Sequence, residues 1–267
     1  LLVVLGLRIV SYYFPIPLNF RQFDLFDPSV YGSNVVLRSL GDLLINAVLF
    51  VWVILFVRHQ LQEKKYIMTP RLQMLKWFWL TLVVLVFIAA TFVCGHILQS
   101  MVADSQISFD VINFFTLNSY SIIGFVVLCC IAISYFLMGQ ILLYLLKPMF
   151  PKNFTALYIA VAIAGLIFLT IGFNVAIVTF ELYLLVWLLI FLVLLSSNYL
   201  VLLTSRISSS RLVFWLFFFS LSITMVIVHE NNIKELRNRK HYAEILSSKA
   251  DPSSETLMNT LLTDFRN

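Results

Sequence analysis

Residues 77–98 read WFWLTLVVLVFIAATFVCGHIL, without one Lys, Arg, Asp or Glu. At ~1.5 Å of rise per residue, about 20 apolar residues cross the ~30 Å hydrocarbon layer of a bilayer. The stretch therefore predicts a membrane-spanning helix, with Trp77 and Trp79 as anchors at the membrane surface. A transmembrane barrel strand would instead alternate over ~10 residues, and this run is continuously apolar.

Working outward from it, six further apolar runs follow the same logic: Leu1–Phe14, Gly41–Val57, Tyr120–Leu146, Thr155–Phe173, Val175–Leu203 and Leu212–Val228. The first is too short to cross alone and reads as a truncated span. The expected fold is an all-α, polytopic transmembrane helix bundle of about seven spans with a short extramembrane helical tail. Composition agrees. Of 267 residues, 61% are hydrophobic and 12% charged, against about 45–50% and about 25% in soluble globular domains. A cytosolic or secreted enzyme is excluded on that ground.

Charge distribution predicts orientation. The loop 58–76 holds Arg58, Lys64, Lys65, Arg71 and Lys76 against Glu63 alone; loops 147–154 and 204–211 add Lys147, Lys152, Arg206 and Arg211. The alternate segment 100–119 has Asp104 and Asp110 and no base. The basic loops are expected in the cytoplasm, in a multi-pass protein of the inner (plasma) membrane. Residues 15–38 and the tail after 229 are then extracytoplasmic. The basic knot of Lys234, Arg237, Arg239 and Lys240 pulls the other way, although six acids offset six bases over 230–267.

Two regions are expected: a bundle over 1–229, and an amphipathic stalk over 230–267 that opens an extracytoplasmic domain. In the stalk Ile233, Leu236, Ala243 and Leu246 recur at helical spacing, which would prolong the seventh helix past the bilayer. Asp251-Pro252 reads as a cap followed by proline at the first position of a new helix, with Leu257, Leu261, Leu262 and Phe265 as its stripe. Neither helix can bury a core alone, so the chain is expected to continue past Asn267, and Leu1, without a leader pattern, to lie inside a longer protein.

Ionisable groups within apolar runs are the candidate functional residues: Arg8, Asp42, His96 and Glu181. Asp42, at a helix start, also suits a cap and the helix dipole. His96 lies near a helix end, and Glu181 is placed to pair with another helix or reach water. Cys94, Cys129 and Cys130 read as small buried hydrophobes. Small residues in 160–165 permit close helix approach. No HExxH, GxSxG or phosphate-binding loop occurs; no catalytic residue, metal site or cofactor is assigned, and nucleic acid is not an expected partner. Activity as an enzyme stays undecided.

Three passages together carry a likeness. FDLFDPSVYGSNVVLRSLGDLLINAVLF (Phe23–Phe50) supplies Asp27, Pro28, Tyr31, Gly41 and Asp42; SQISFDVINFFTLNSYSIIGF is Ser105–Phe125; RKHYAEILSSKADPSSE (Arg239–Glu255) supplies Arg239, Tyr242, Ala243, Asp251, Pro252 and Glu255. In that order they resemble the membrane-embedded N-terminal region of Bacteroidota-type sensor histidine kinases. The resemblance implies a helix bundle followed by an extracytoplasmic sensor region, a further span and a cytoplasmic kinase. The phosphoacceptor histidine and ATP-binding boxes of such a kinase are missing here. His229-Glu230 lacks the proline of the phosphoacceptor box, so a signal-input role is what carries over. The partners implied are the lipid bilayer, the kinase domains of the same polypeptide and a second copy in a homodimer. The competing expectation is a membrane transporter or channel subunit; an intramembrane enzyme would need polar residues converging at one depth.

Overall fold

The computed structural model describes residues 2–13, 23–27, 31, 39–64, 73–103, 109, 118–146, 155–171, 175–202, 209–248 and 252–265. These form eight α-helices: α1 (Leu2–Tyr13), α2 (Leu40–Lys64), α3 (Gln73–Ala103), α4 (Ser119–Leu146), α5 (Thr155–Ile171), α6 (Val175–Leu202), α7 (Ser209–Ser248) and α8 (Pro252–Asp264), with a 3₁₀ turn at Asp24–Phe26. No strand occurs among the described residues.

α2, α3 and α7 outrun their apolar segments, because Gln, Glu and Lys propagate a helix nearly as well as Leu. α2 passes through Arg58 as far as Lys64, so the first part of the basic 58–76 segment is helical; α3 starts at Gln73. The largest extension is α7. Its 40 residues make a rod of ~60 Å at 1.5 Å per residue, twice a hydrocarbon layer of ~30 Å. α8 begins at Pro252, whose fixed φ and missing N–H suit a first helical position.

Among the described residues, four helices are long and apolar enough to cross a membrane, over Leu40–Leu61, Trp77–Ala103, Ser119–Leu146 and Val213–Leu246. Thr155–Thr170 of α5 and Phe180–Ser196 of α6 are shorter apolar helices, and α1 has 12 residues. Four candidate spans among the described residues is the count that stands beside the about seven expected from apolarity.

α3 is the hub, packed on α4, α5, α6 and α7, while α2 lies along α4 and α5 along α6. Two glycines let α6 in. A Cβ on Gly95 of α3 would stand 2.5 Å from Leu184 Cδ1, and one on Gly165 of α5 would stand 2.1 Å from Leu185 Cδ1. Adjacent leucines of one helix therefore seat in notches of two neighbours, the close approach expected around 160–165.

The larger core joins Phe87 of α3, Tyr135 of α4, Leu157 and Val161 of α5, Phe191 of α6 and Trp215 of α7. Aromatic rings dominate it: Trp187 stacks on Phe191 at 5.5 Å and 8°, and Phe136 meets Trp215 at 4.8 Å. A second core joins Tyr31 and Leu40 to Met101, Phe109, Val127 and Ile227. It gathers the start of α2, the end of α3, the start of α4 and the middle of α7. We call this the Ser39 end of the bundle.

One expectation about the core is corrected. Cys129 is exposed, and Cys94 and Cys130 are only partly buried; all three are free thiols. An apolar helix facing lipid has no need to turn its small side chains inward.

Candidate functional site

One group of polar side chains gathers at the Ser39 end, beginning with a helix cap. Ser39 precedes α2; the Asp42 backbone N–H donates to Ser39 Oγ at 3.2 Å, and Ser39 Oγ donates to Asp42 Oδ2 at 3.2 Å. This reciprocal arrangement satisfies a helix-start donor and fixes the carboxylate beside the helix N-terminus. Ser39 is thus the capping residue, and Asp42 lies in the first turn with its carboxylate on the Ser39 hydroxyl.

The same carboxylate also holds α1. Arg8 Nη2 lies 2.7 Å from Asp42 Oδ1, and Arg8 Nε donates to Asn46 Oδ1 at 2.9 Å. Arg8 Nη2 also approaches the Asp42 carbonyl at 3.3 Å. The two charged side chains are 12% and 17% exposed. Burial at that level weakens water screening, so the pair and its hydrogen bonds outweigh a surface ion pair of 0–1 kcal/mol. Arg8 and Asp42 were separate candidates; they form one centre, with Asn46 one helical turn past Asp42 as its third member.

The stretch before α2 packs against this end of the bundle. A Cβ on Gly41 would stand 2.8 Å from the Phe26 ring, so the ring that ends the 3₁₀ turn sits directly on the start of α2. Tyr31 is 1% exposed, and its hydroxyl pairs with Ser100 Oγ at 3.3 Å. Asp27 is exposed beside the turn, its N–H donating to the Asp24 carbonyl at 3.2 Å. Pro28 and Asp251 lie outside the described residues. Arg239, Tyr242 and Ala243 are exposed on α7, where Arg239 pairs with Glu235; Pro252 and Glu255 belong to the first turn of α8.

Across the same end, α3 grips α7. Gln99 Nε2 donates to Glu230 Oε1 at 3.1 Å, and Lys234 Nζ donates to the Val102 carbonyl at 3.2 Å. Glu230 is 1% exposed, and its Oε2 has no hydrogen-bond partner among the described residues. Beyond Lys234 the face of α7 opens, and residues 235–244 are exposed. The grip thus marks where the helix leaves the bundle. Sequence reading missed Gln99 and Glu230, yet a signal existed: Glu230 falls three and four residues after the buried Ile227 and Val226, on their stripe.

The other two candidates stay apart from this centre. Glu181 is buried, 7% exposed, with Oε2 unpartnered among the described residues. His96 is exposed, its ring 6.2 Å from that of Phe180. Neither bonds to Arg8 or Asp42 among the described residues. No group of three or more His, Cys, Asp or Glu suited to a metal occurs among them either. The arrangement clamps helices together.

No family model, curated protein or solved structure matches the chain.

Proposed function

We propose that the chain is the membrane-embedded signal-input module of a two-component sensor histidine kinase, passing a stimulus through α7 toward a kinase portion beyond Asn267. The observation that carries the reading is the continuity of α7, one helix from Ser209 to Ser248 that α3 grips at Glu230 and Lys234 just where it leaves the bundle. A rigid rod clamped at its exit converts a small change in the clamp into rotation or tilt of its far end. Signalling needs such a two-state element, with a stimulus that favours one state.

In this reading α2 to α7 cross the plasma membrane and α1 is the end of a truncated seventh span, with α5 and α6 closely paired. The basic loops 58–76, 147–154 and 204–211 face the cytoplasm; the Ser39 end and the tail lie outside, and a further crossing downstream returns the chain to the kinase. A second copy pairs with it, as the exposed apolar stripe of Leu236 and Leu246 on α7 suggests. A transporter or channel would instead favour broken helices around a midplane site, whereas α2, α3, α4 and α7 run without interruption.

The test joins this chain to its natural downstream sequence and follows autophosphorylation by ATP in membrane vesicles. One to four alanines inserted after Asn232 each rotate the stalk by about 100°. Kinase output should rise and fall with the helical period. Output indifferent to the insertions, or no phosphorylation at all, would overturn the proposal.

A further inference from the structure

Just past its grip on α3, α7 turns basic. From Lys234 to His241 four Lys or Arg residues, Lys234, Arg237, Arg239 and Lys240, stand against Glu235 alone. Arg237, Arg239, Lys240 and His241 are all exposed. The acids nearby do little to offset them. Glu235 is taken up by Arg239 one turn on, Glu230 is buried against Gln99, and the next acid, Glu244, lies a turn beyond Lys240.

The grip sets the height of this patch. Lys234 Nζ donates to the Val102 carbonyl at 3.2 Å, in the last turn of α3, whose membrane-compatible stretch ends at Ala103. Lys234 is therefore level with the end of an apolar span. Helix side chains lean toward the N-terminus, which for α7 is back toward the bilayer. At ~1.5 Å of rise per residue, the charges of Arg237, Arg239 and Lys240 then fall about 5–9 Å above that of Lys234. A headgroup layer is about 5–7 Å deep, since a ~30 Å hydrocarbon core sits within ~40–45 Å overall. The three cations are thus at phosphate level.

Height and sign together select the occupant. A soluble acidic partner would have to displace headgroups to reach these side chains, whereas the phosphates of the surrounding leaflet already lie beside them. A zwitterionic headgroup brings its own cation and gives no net attraction. An anionic one does, at about a fivefold gain for each Lys or Arg near the surface.

We propose that Arg237, Arg239 and Lys240 form a collar that binds the phosphates of anionic phospholipids in the leaflet at the Ser39 end of the bundle. The charge of that leaflet then helps to hold α7 where it leaves the bundle. The collar rests on α3 and α7 lying in a bilayer. It is independent of the signalling role and holds for either face of the membrane.

The experiment attaches a benzophenone to Leu236→Cys, in a chain whose Cys94, Cys129 and Cys130 are replaced by Ala, in mixed phosphatidylcholine and phosphatidylglycerol vesicles. Leu236 is 65% exposed, and Arg239 and Lys240 follow it by three and four residues, on the same face. Irradiation and mass spectrometry count the lipid adducts. At ~0.1 M salt phosphatidylglycerol should exceed its share of the bilayer by about fivefold or more. The excess should vanish at ~1 M, where the Debye length has shrunk from ~10 Å to ~3 Å. Arg237→Gln/Lys240→Gln, at two exposed positions outside the grip, should bring it down toward the bulk ratio while leaving the fold intact. The same label on Leu221→Cys, in mid-span and 51% exposed, should report the bulk ratio throughout. Bulk-ratio adducts at position 236 with the charges in place, or an excess that survives salt or the double variant, would overturn the collar. So would the absence of lipid adducts there, the result for a patch turned to a soluble acidic partner.

Discussion

Arg8 and Asp42, 34 positions apart in the chain, meet through Nη2 and Oδ1 at 2.7 Å and fix α1 to the first turn of α2. Asp42 serves two partners at once, since its Oδ2 also accepts from Ser39. The carboxylate is thus held by a cap on one side and a guanidinium on the other.

Removing either charge leaves the other largely buried with neutral hydrogen-bond partners only, Ser39 for Asp42 and Asn46 for Arg8, and breaking a buried pair costs about 3–5 kcal/mol. Arg8→Ala and Asp42→Ala should each lower the unfolding free energy in detergent by about that amount. The double variant should lose less than the sum, because the stranded charge is gone. Additive losses in the double-mutant cycle would show that the two residues act independently.

Gly165 and Leu185 offer a second check. Gly165→Ala puts a methyl group where Leu185 Cδ1 sits 2.1 Å away, and overpacking of this kind costs about 1–3 kcal/mol. Leu185→Ala added to it should recover part of the loss by vacating the notch. Thermal unfolding of the single and double variants reads the recovery; a double variant less stable than Gly165→Ala would place the contact elsewhere.

The helices themselves were legible in the sequence, because bilayer thickness and helix rise leave little freedom for an apolar run of 20 residues. Their faces were not. Phe87 is fully buried and Val93 is 56% exposed on the same helix, yet both are apolar, because lipid tails and the protein interior make the same demand on a side chain. Cys129 was misplaced for that reason. The polar centre was half visible: Arg8 and Asp42 stand out within apolar runs, but their pairing is a tertiary fact. Gln99 and Glu230 escaped notice because each sits at the polar edge of its run, where a charge needs no special explanation.

Sidedness can be tested without any view of mechanism. The second core and the Gln99–Glu230 contact put the start of α2 and the exit of α7 at one end of the bundle. In a background with Cys94, Cys129 and Cys130 replaced by Ala, Phe23→Cys and Leu246→Cys should react with a membrane-impermeant maleimide from the same side of sealed vesicles. Both positions are exposed, at 58% and 76%. Labelling from opposite faces would mean that α7 leaves the bundle at the other end.

The grip on α7 makes the last prediction. Glu230 accepts from Gln99 at 3.1 Å in an environment that leaves it 1% exposed, and hydrogen bonds to charged groups contribute about 1.5–3 kcal/mol. Gln99→Ala strands that carboxylate and should loosen α7 locally, because the next anchors on its stripe are Ile227 and Val226, three and four residues earlier. Hydrogen exchange in the segment 226–234 should then quicken by about tenfold or more, since 1.4 kcal/mol of local opening free energy is a factor of ten. Exchange over 213–222, held by Trp215 and by the Trp187–Ser222 bond, should stay as it was. Gln99→Asn, which keeps an amide on a shorter stem, should fall between the native chain and the alanine variant. Uniform quickening along all of α7 would show a helix stabilised as one unit, with no separate clamp at its exit.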